Sequence, residues 1–168
     1  AAQVKDACGA ATVVGGIHAS NDPHFFNRAG IDYIVCGVGR KSFAELAGLV
    51  ERGDVAGKPL PAGVYRTTPG KPLPLQRRSV TQADLVNNLP PAYGLTDRYR
   101  SHYIIAKLGI RMGFVASAFG CPHSCVFCSI NGQTGGSYLT RSPASVVRDI
   151  GLLGDIPIIR LVDANTFG

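Results

Sequence analysis

"FVASAFGCPHSCVFCSI", residues 114–130, decides how the chain is read. Its apolar opening, Phe114 to Phe119, predicts a strand. That strand runs straight into Cys121, Cys125 and Cys128, spaced C-x3-C-x2-C. The chain has five cysteines in all, an odd number, and three of them share this loop. The arithmetic suits a metal centre better than a disulfide framework and favours a reducing compartment. Structural zinc asks for four ligands, commonly two distant C-x2-C pairs. A [4Fe–4S] cluster commonly takes four cysteines, so three leave one iron open to an outside ligand. His123 as a fourth ligand would have to fold back inside its own loop, and an exposed loop histidine is the simpler expectation. A cysteine group without metal would be prone to oxidation.

The flanks extend the pattern. Residues 131–140 are glycine-rich and polar, predicting a long loop. Ser142-Pro143 restarts a helix whose buried face would carry Val146, Val147, Ile150 and Leu153. Pro157–Val162 is a further strand, ending in the polar run Asp163-Ala164-Asn165-Thr166-Phe167. Asp163 could simply begin a turn, and Arg141 is expected to stay solvated. Strand, cysteine loop, helix, strand are opening units of a β/α barrel or open sheet, folds that place chemistry at the C-terminal ends of strands.

Upstream, residues 11–16 (ATVVGG) predict a short strand ending in a glycine turn. Asp22-Pro23 caps a helix that Gly30 stops, and Ile31–Cys36 is a second strand. Ser42 and Glu45 read as a capping box for a helix with Phe43, Leu46, Leu49 and Val50 on one face. This rhythm is that of a parallel sheet with crossover helices. Prolines then crowd in at 59, 61, 69, 72 and 74. A hairpin is expected around Pro69-Gly70, with Val64-Tyr65-Arg66 on one arm. Residues 84–100 read as a linker. Cys8 and Cys36 read as small buried hydrophobes, and His18 as a hydrogen-bonding loop residue.

Composition sets the bounds. Of 168 residues, 45% are hydrophobic and 17% charged, which suits a core-forming chain. The formal charge of +6 is scattered apart from a small group at Arg77, Arg78, Arg98 and Arg100, so nucleic-acid binding is not expected. No apolar stretch reaches the length of a membrane span. The chain reads as an internal piece of a longer cytoplasmic protein.

The cysteine spacing, the aromatic Phe127 before the third cysteine and the preceding strand together resemble the radical S-adenosylmethionine (radical SAM) superfamily. The resemblance implies that Cys121, Cys125 and Cys128 hold a [4Fe–4S] cluster whose open iron chelates SAM. It implies that Phe127 lies against the adenine region. It implies reductive cleavage of SAM to a 5′-deoxyadenosyl radical by an electron from a donor such as flavodoxin or ferredoxin. LVDANTFG is similar to the "D-D-N-F"-like stretch of one subgroup, placing Asp163 and Asn165 at the SAM-side mouth near the methionyl amine.

The N-terminal half resembles the C-terminal part of the Rossmann-like cobalamin-binding domain that precedes the barrel in one large subfamily. There the order is strand, GG-x-H, helix, D-x-V-x-G-E-G-E and helix. Here Gly15-Gly16-Ile17-His18 and Asp32 to Arg40 follow it, with Gly37-Val38-Gly39-Arg40 lacking both acidic residues of the motif. Leu89-Pro90-Pro91-Ala92-Tyr93-Gly94-Leu95 loosely matches the family's L-P-x-P-x-Y-x-L linker. The resemblance implies a Rossmann-like part over 1–53, a hairpin and linker over 54–110, and the start of a barrel over 111–168. Gly15 and Gly16 would let the backbone approach cobalamin, since glycine permits close contact. The implied activity is C-methylation or oxidative cyclisation of a small molecule, as in cobalamin-dependent radical SAM methyltransferases or relatives of the anaerobic Mg-protoporphyrin ester cyclase. No individual catalytic residue is assigned. The rival readings are a radical SAM tRNA methylthiotransferase and a non-catalytic module stabilised by zinc or a cluster.

Overall fold

A strand buried on both faces organises the first half of the chain. In the computed structural model, which describes residues 2–76, 81–86, 90–134 and 136–167, that strand is Tyr33–Val35. Arg77, Arg78 and Leu89, singled out from the sequence, lie outside the described residues. The chain divides into two units: Ala1–Val80 with His123–Ser137, and Thr81–Pro122 with Tyr138–Gly168.

The first unit opens with α1 (Ala2–Cys8), β1 (Val13–Gly15), α2 (Ile17–Asn21) and a 3-10 turn at Pro23–Phe26. β2 (Tyr33–Val35), α3 (Arg40–Glu51) and β3 (Val64–Arg66) follow. β2 runs parallel to β1, with Val14 opposite Ile34, and antiparallel to β3, with Ile34 opposite Tyr65. The two-residue alternation of a strand sends Ile34 and Tyr65 to one face, against Ala19 and Leu73. Tyr33, Val35 and Val64 go to the other, against Leu46 of α3. Ile34 and Leu46 are fully buried, and each contributes about 1.5–3 kcal/mol. Lys5 of α1 pairs with Asp32, whose carboxylate also accepts from the Thr12 amide at 2.9 Å.

Several local expectations are corrected here. Helix α3 starts at Arg40, because Phe43 already donates its amide to Gly39 at 2.7 Å. Ser42 therefore sits inside the helix, buried, and its hydroxyl donates to the Ala62 carbonyl at 2.7 Å instead of capping. Phe43 is half exposed. Asp22 does cap, accepting from Phe25 at 3.2 Å, but only the 3-10 turn follows it. β3 pairs with β2, and among the described residues it has no second hairpin arm. Pro72 and Pro74 have no amide hydrogen to donate to a ladder. The turn closes instead from Lys71 to Thr68 at 2.9 Å and delivers Leu73 to the core.

The second unit begins with α4 (Ala83–Val86) and a 3-10 segment, Tyr93–His102, where the sequence predicts only a linker. Next come β4 (Ile104–Ile105), β5 (Ile110–Val115) and β6 (Ala118–Gly120). After α5 (Ile130–Thr134), which belongs to the first unit, come β7 (Tyr138–Thr140), α6 (Pro143–Leu152) and β8 (Ile158–Leu161). The expected single strand at 114–119 is two. β5 pairs with β4 and, in parallel, with β8; β6 pairs antiparallel with β7. Helix α6 connects β7 to β8 and so returns the chain to the β5 sheet; it is capped by Ser142, which accepts from Ser145. It packs closely: a Cβ on Gly113 would stand 2.7 Å from Leu153 Cδ1. Val147, expected on the buried face, is largely exposed.

Arg141 is the clearest departure. Its side chain is only 10% exposed and meets Asp149, 1% exposed, at 2.7 Å. It also donates to the Ala116 carbonyl at 2.8 Å and the Ser145 carbonyl at 3.2 Å. Asp149 shares α6 with Val146 and Ile150 and lies between them in sequence, so a cation had to reach it. Burial pushes the Asp149 carboxyl up, but bonds from Arg141 and Arg148 outweigh this and hold it below its ordinary value. No helix among the described residues is long and apolar enough to cross a membrane.

Arg141→Ala leaves the buried Asp149 carboxylate to the half-exposed Arg148 and should cost about 1.5–3 kcal/mol in denaturant unfolding. The pair's contribution should be whole above the unfolded carboxyl value of about 3.9 and drain away as pH falls through the lower folded value. Acid unfolding of the wild type should show that loss, and the variant should show a smaller one.

Candidate functional site

The cysteine loop is an excursion from a ribbon. β6 and β7 pair as Ala118 with Thr140, Phe119 with Leu139 and Gly120 with Tyr138, closing its base. Cys121 follows at once and is half-buried; Cys125 is exposed and Cys128 half-buried. The Cys128 amide donates to the Cys125 carbonyl at 3.1 Å, turning the chain between them. His123 is exposed, as expected. Val126 is fully exposed and Phe127 89% exposed. Two adjacent large apolar side chains in solvent are unusual, and such surface commonly marks a binding site.

Within the first unit the loop's continuation is held by a part of the chain the sequence left undescribed. The helix α5, where only loop was expected, packs on α2. Asn21 of α2 donates to the Ser129 carbonyl, next to Cys128, at 3.2 Å. Ser20 donates to Gly16 at 2.8 Å and accepts from Gly37 at 2.9 Å, joining the two glycine turns. His18 lies in α2 rather than a loop, stacked on Phe25 at 5.1 Å. Gly16 has φ +97°, a region that L side chains rarely adopt. Gly15 lies so near β2 that a Cβ there would be 3.3 Å from the Val35 carbonyl oxygen. Both glycines have structural reasons to be glycine, and both are exposed.

In the second unit the polar run after β8 is fixed by Asp163. One carboxylate oxygen accepts the Ser117 amide at 2.7 Å and the Ala118 amide at 2.9 Å. The other accepts the Ser117 hydroxyl and, at 3.2 Å, that of Thr166. Burial raises the Asp163 carboxyl's pKa, but these four bonds outweigh it and hold it below the usual carboxylate range. This carboxylate occupies the break between β5 and β6, which explains why the expected single strand divides. Asn165 is half-buried and donates to Cys121 Sγ at 3.9 Å. The structure thus brings Asp163 and Asn165 to the start of the cysteine loop.

The remaining thiols differ. Cys36 is half-buried, bonds to the Ala19 carbonyl at 3.3 Å, and burial pushes its thiol up to about 11. Cys8 is exposed at the end of α1, not buried as expected. All five are free thiols. Among the described residues no three Cys, His, Asp or Glu side chains converge in a metal-ligating array. The donor set itself fits a soft metal centre: three free thiols on one short loop, outside any apolar core. Ligands of this kind commonly take up their geometry as the metal binds.

No family model matches the chain. An uncharacterized methyltransferase of Pyrococcus horikoshii is 30% identical over 151 residues, covering 84% of this chain and 30% of that protein. Two solved structures of the radical S-adenosylmethionine methyltransferase TsrM from Kitasatospora setae are each 25% identical. One, with tryptophan substrate and the SAM analogue aza-SAM bound, has a TM-score of 0.62 over 96% of this chain. The other, with cobalamin and a [4Fe–4S] cluster bound, has a TM-score of 0.59 over 94%. The chain is α/β, with the fold of part of a Rossmann-like cobalamin-binding domain followed by the opening units of a radical SAM barrel. It spans about a third of the length of these relatives, at 30% and 31%.

Gly16→Ala should cost about 1–3 kcal/mol, because φ +97° with ψ −170° is a conformation essentially confined to glycine, read as a lower denaturant midpoint. Asp163→Ala leaves two amides without their acceptor and should cost about 1–3 kcal/mol for each one that stays buried. Hydrogen exchange should then quicken at Ser117 and Ala118 before it does in β2.

Proposed function

We propose that the chain is the cofactor-binding part of a cobalamin-dependent radical SAM methyltransferase acting on a small molecule. The observation that carries this reading is the C-x3-C-x2-C loop, springing from the end of a strand in a chain that resembles TsrM over 96% of its length. Both the solved structures and the Pyrococcus horikoshii relative are methyltransferases, which favours methyl transfer over oxidative cyclisation.

Cys121, Cys125 and Cys128 would hold the [4Fe–4S] cluster, leaving one iron for SAM. The chemistry supplied by the bound groups is one-electron reductive cleavage of SAM and methyl transfer through cobalt. This chain's residues do the holding. Phe127, already exposed, offers its ring as a flat apolar surface for the adenine. Asp163 fixes the turn that carries Asn165 beside the first cysteine. Gly15 and Gly16 present backbone without side chains on the side assigned to cobalamin, residues 1–53. The cluster and SAM side is residues 111–168. A low-potential electron donor such as flavodoxin or ferredoxin completes the system, in a reducing compartment such as the cytoplasm.

Anaerobic reconstitution tests the reading. The full chain should bind about four irons and four sulfides and turn brown, with 5′-deoxyadenosine formed from SAM on reduction. Cys125→Ala should lose the visible chromophore and the SAM cleavage together. One tightly bound zinc per chain, or an unchanged spectrum in Cys125→Ala, would overturn the assignment. Labelled methyl from SAM appearing on added cobalamin is the expected second result.

A further inference from the structure

We infer that Asn165 sets the reduction potential of the metal centre through its bond to the Cys121 sulfur, an inference that rests on the cluster reading above. Its Nδ2 lies 3.9 Å from Cys121 Sγ, a reach that the larger radius of sulfur permits. The orientation of the amide is fixed from its other end, where Oδ1 accepts the Phe167 amide at 3.1 Å. An amide whose oxygen is occupied in this way presents its hydrogens to the thiol side. Both residues are half-buried, so the bond is partly shielded from water, where a dipole acts more strongly.

The bond rests on a rigid support. Asp163, two residues before Asn165, bonds the amides of Ser117 and Ala118. Ala118 begins β6, the strand that ends immediately before Cys121. Thr166, one residue after Asn165, also bonds to Asp163 at 3.2 Å. The donor and the sulfur are thus carried on two segments joined by one carboxylate. Asn165 is a positioning residue that acts through Cys121.

The direction of the effect follows from charge. Reduction adds one electron to the cluster and forms or breaks no bond. The added negative charge spreads onto the thiolate sulfurs. An N–H dipole aimed at one of them stabilises the reduced form more than the oxidised form and raises the potential. Removing the donor lowers it.

The test is a potentiometric titration of the full chain, reconstituted with iron and sulfide and reduced with dithionite and mediators without SAM. The reduced cluster is counted by its electron paramagnetic resonance signal. Asn165→Asp keeps an oxygen for the Phe167 amide but removes the donor and adds charge; Asn165→Ala removes the donor without charge. At fixed potential the reduced-to-oxidised ratio should fall about tenfold in Asn165→Ala, equivalent to 59 mV for one electron, and further in Asn165→Asp. Wild-type cluster content with an unchanged or raised ratio in Asn165→Ala overturns this inference and leaves the functional reading standing. So does loss of the cluster from both variants when their circular dichroism stays native, since the residue would then serve assembly. A wild-type chain that takes up no [4Fe–4S] cluster overturns both.

Discussion

One carboxylate holds the second unit's working end together. Asp163 stands just past the end of β8 and accepts hydrogen bonds from both backbone amides at the β5–β6 break. Without it those amides would face an apolar sheet end with no acceptor, which costs free energy in any buried setting. With it, the strand bends out of the parallel sheet and starts the ribbon from which the cysteine loop projects. The polar run after β8 is held by the same group. Strand pairing, loop origin and the place of Asn165 all descend from this contact.

The first unit depends on a different constraint, a central strand covered on both faces. Tyr33, Ile34 and Val35 supply two cores with three consecutive residues, because a strand alternates. Helix α2, only five residues long, covers one side and receives α5 from the cysteine loop. Ser20 and Asn21 do much with little length: one joins the glycine turns, the other holds the carbonyl next to Cys128. The short helix is stable through these tertiary bonds rather than through propensity, as short helices generally are.

Much of this was legible in the sequence, and the reasons for the rest are physical. Strands β1, β2 and β8, the caps at Asp22 and Ser142, and the exposed cysteine loop are local matters of pattern and turn chemistry. The α/β class followed from their order. Helices α2 and α5 were missed because each spans five residues and is fixed by side chains far away in sequence. Pattern alone leaves Arg141 solvated, because a charge beside a helix start commonly is. The signal against that was Asp149, an acid between Val146, Ile150 and Leu153, which needed a partner. The Ser42–Glu45 box failed because the helix had already begun. The sequence nominates the three cysteines, Phe127, Asp163, Asn165, Gly15 and Gly16 as site residues, but not the contacts that hold Asp163 and Asn165. The carboxylate reaches back 45 and 46 residues to its amides, and no local pattern encodes that distance.

The state of Cys36 has a bearing on how the chain matures. A thiol that burial pushes up to about 11 is a poor nucleophile and a poor metal donor near neutral pH. Folding therefore withdraws one thiol from the soft-metal and disulfide chemistry open to the exposed ones. Metal capture and stray crosslinking at that position are suppressed by the same burial that packs Cys36 against the sheet.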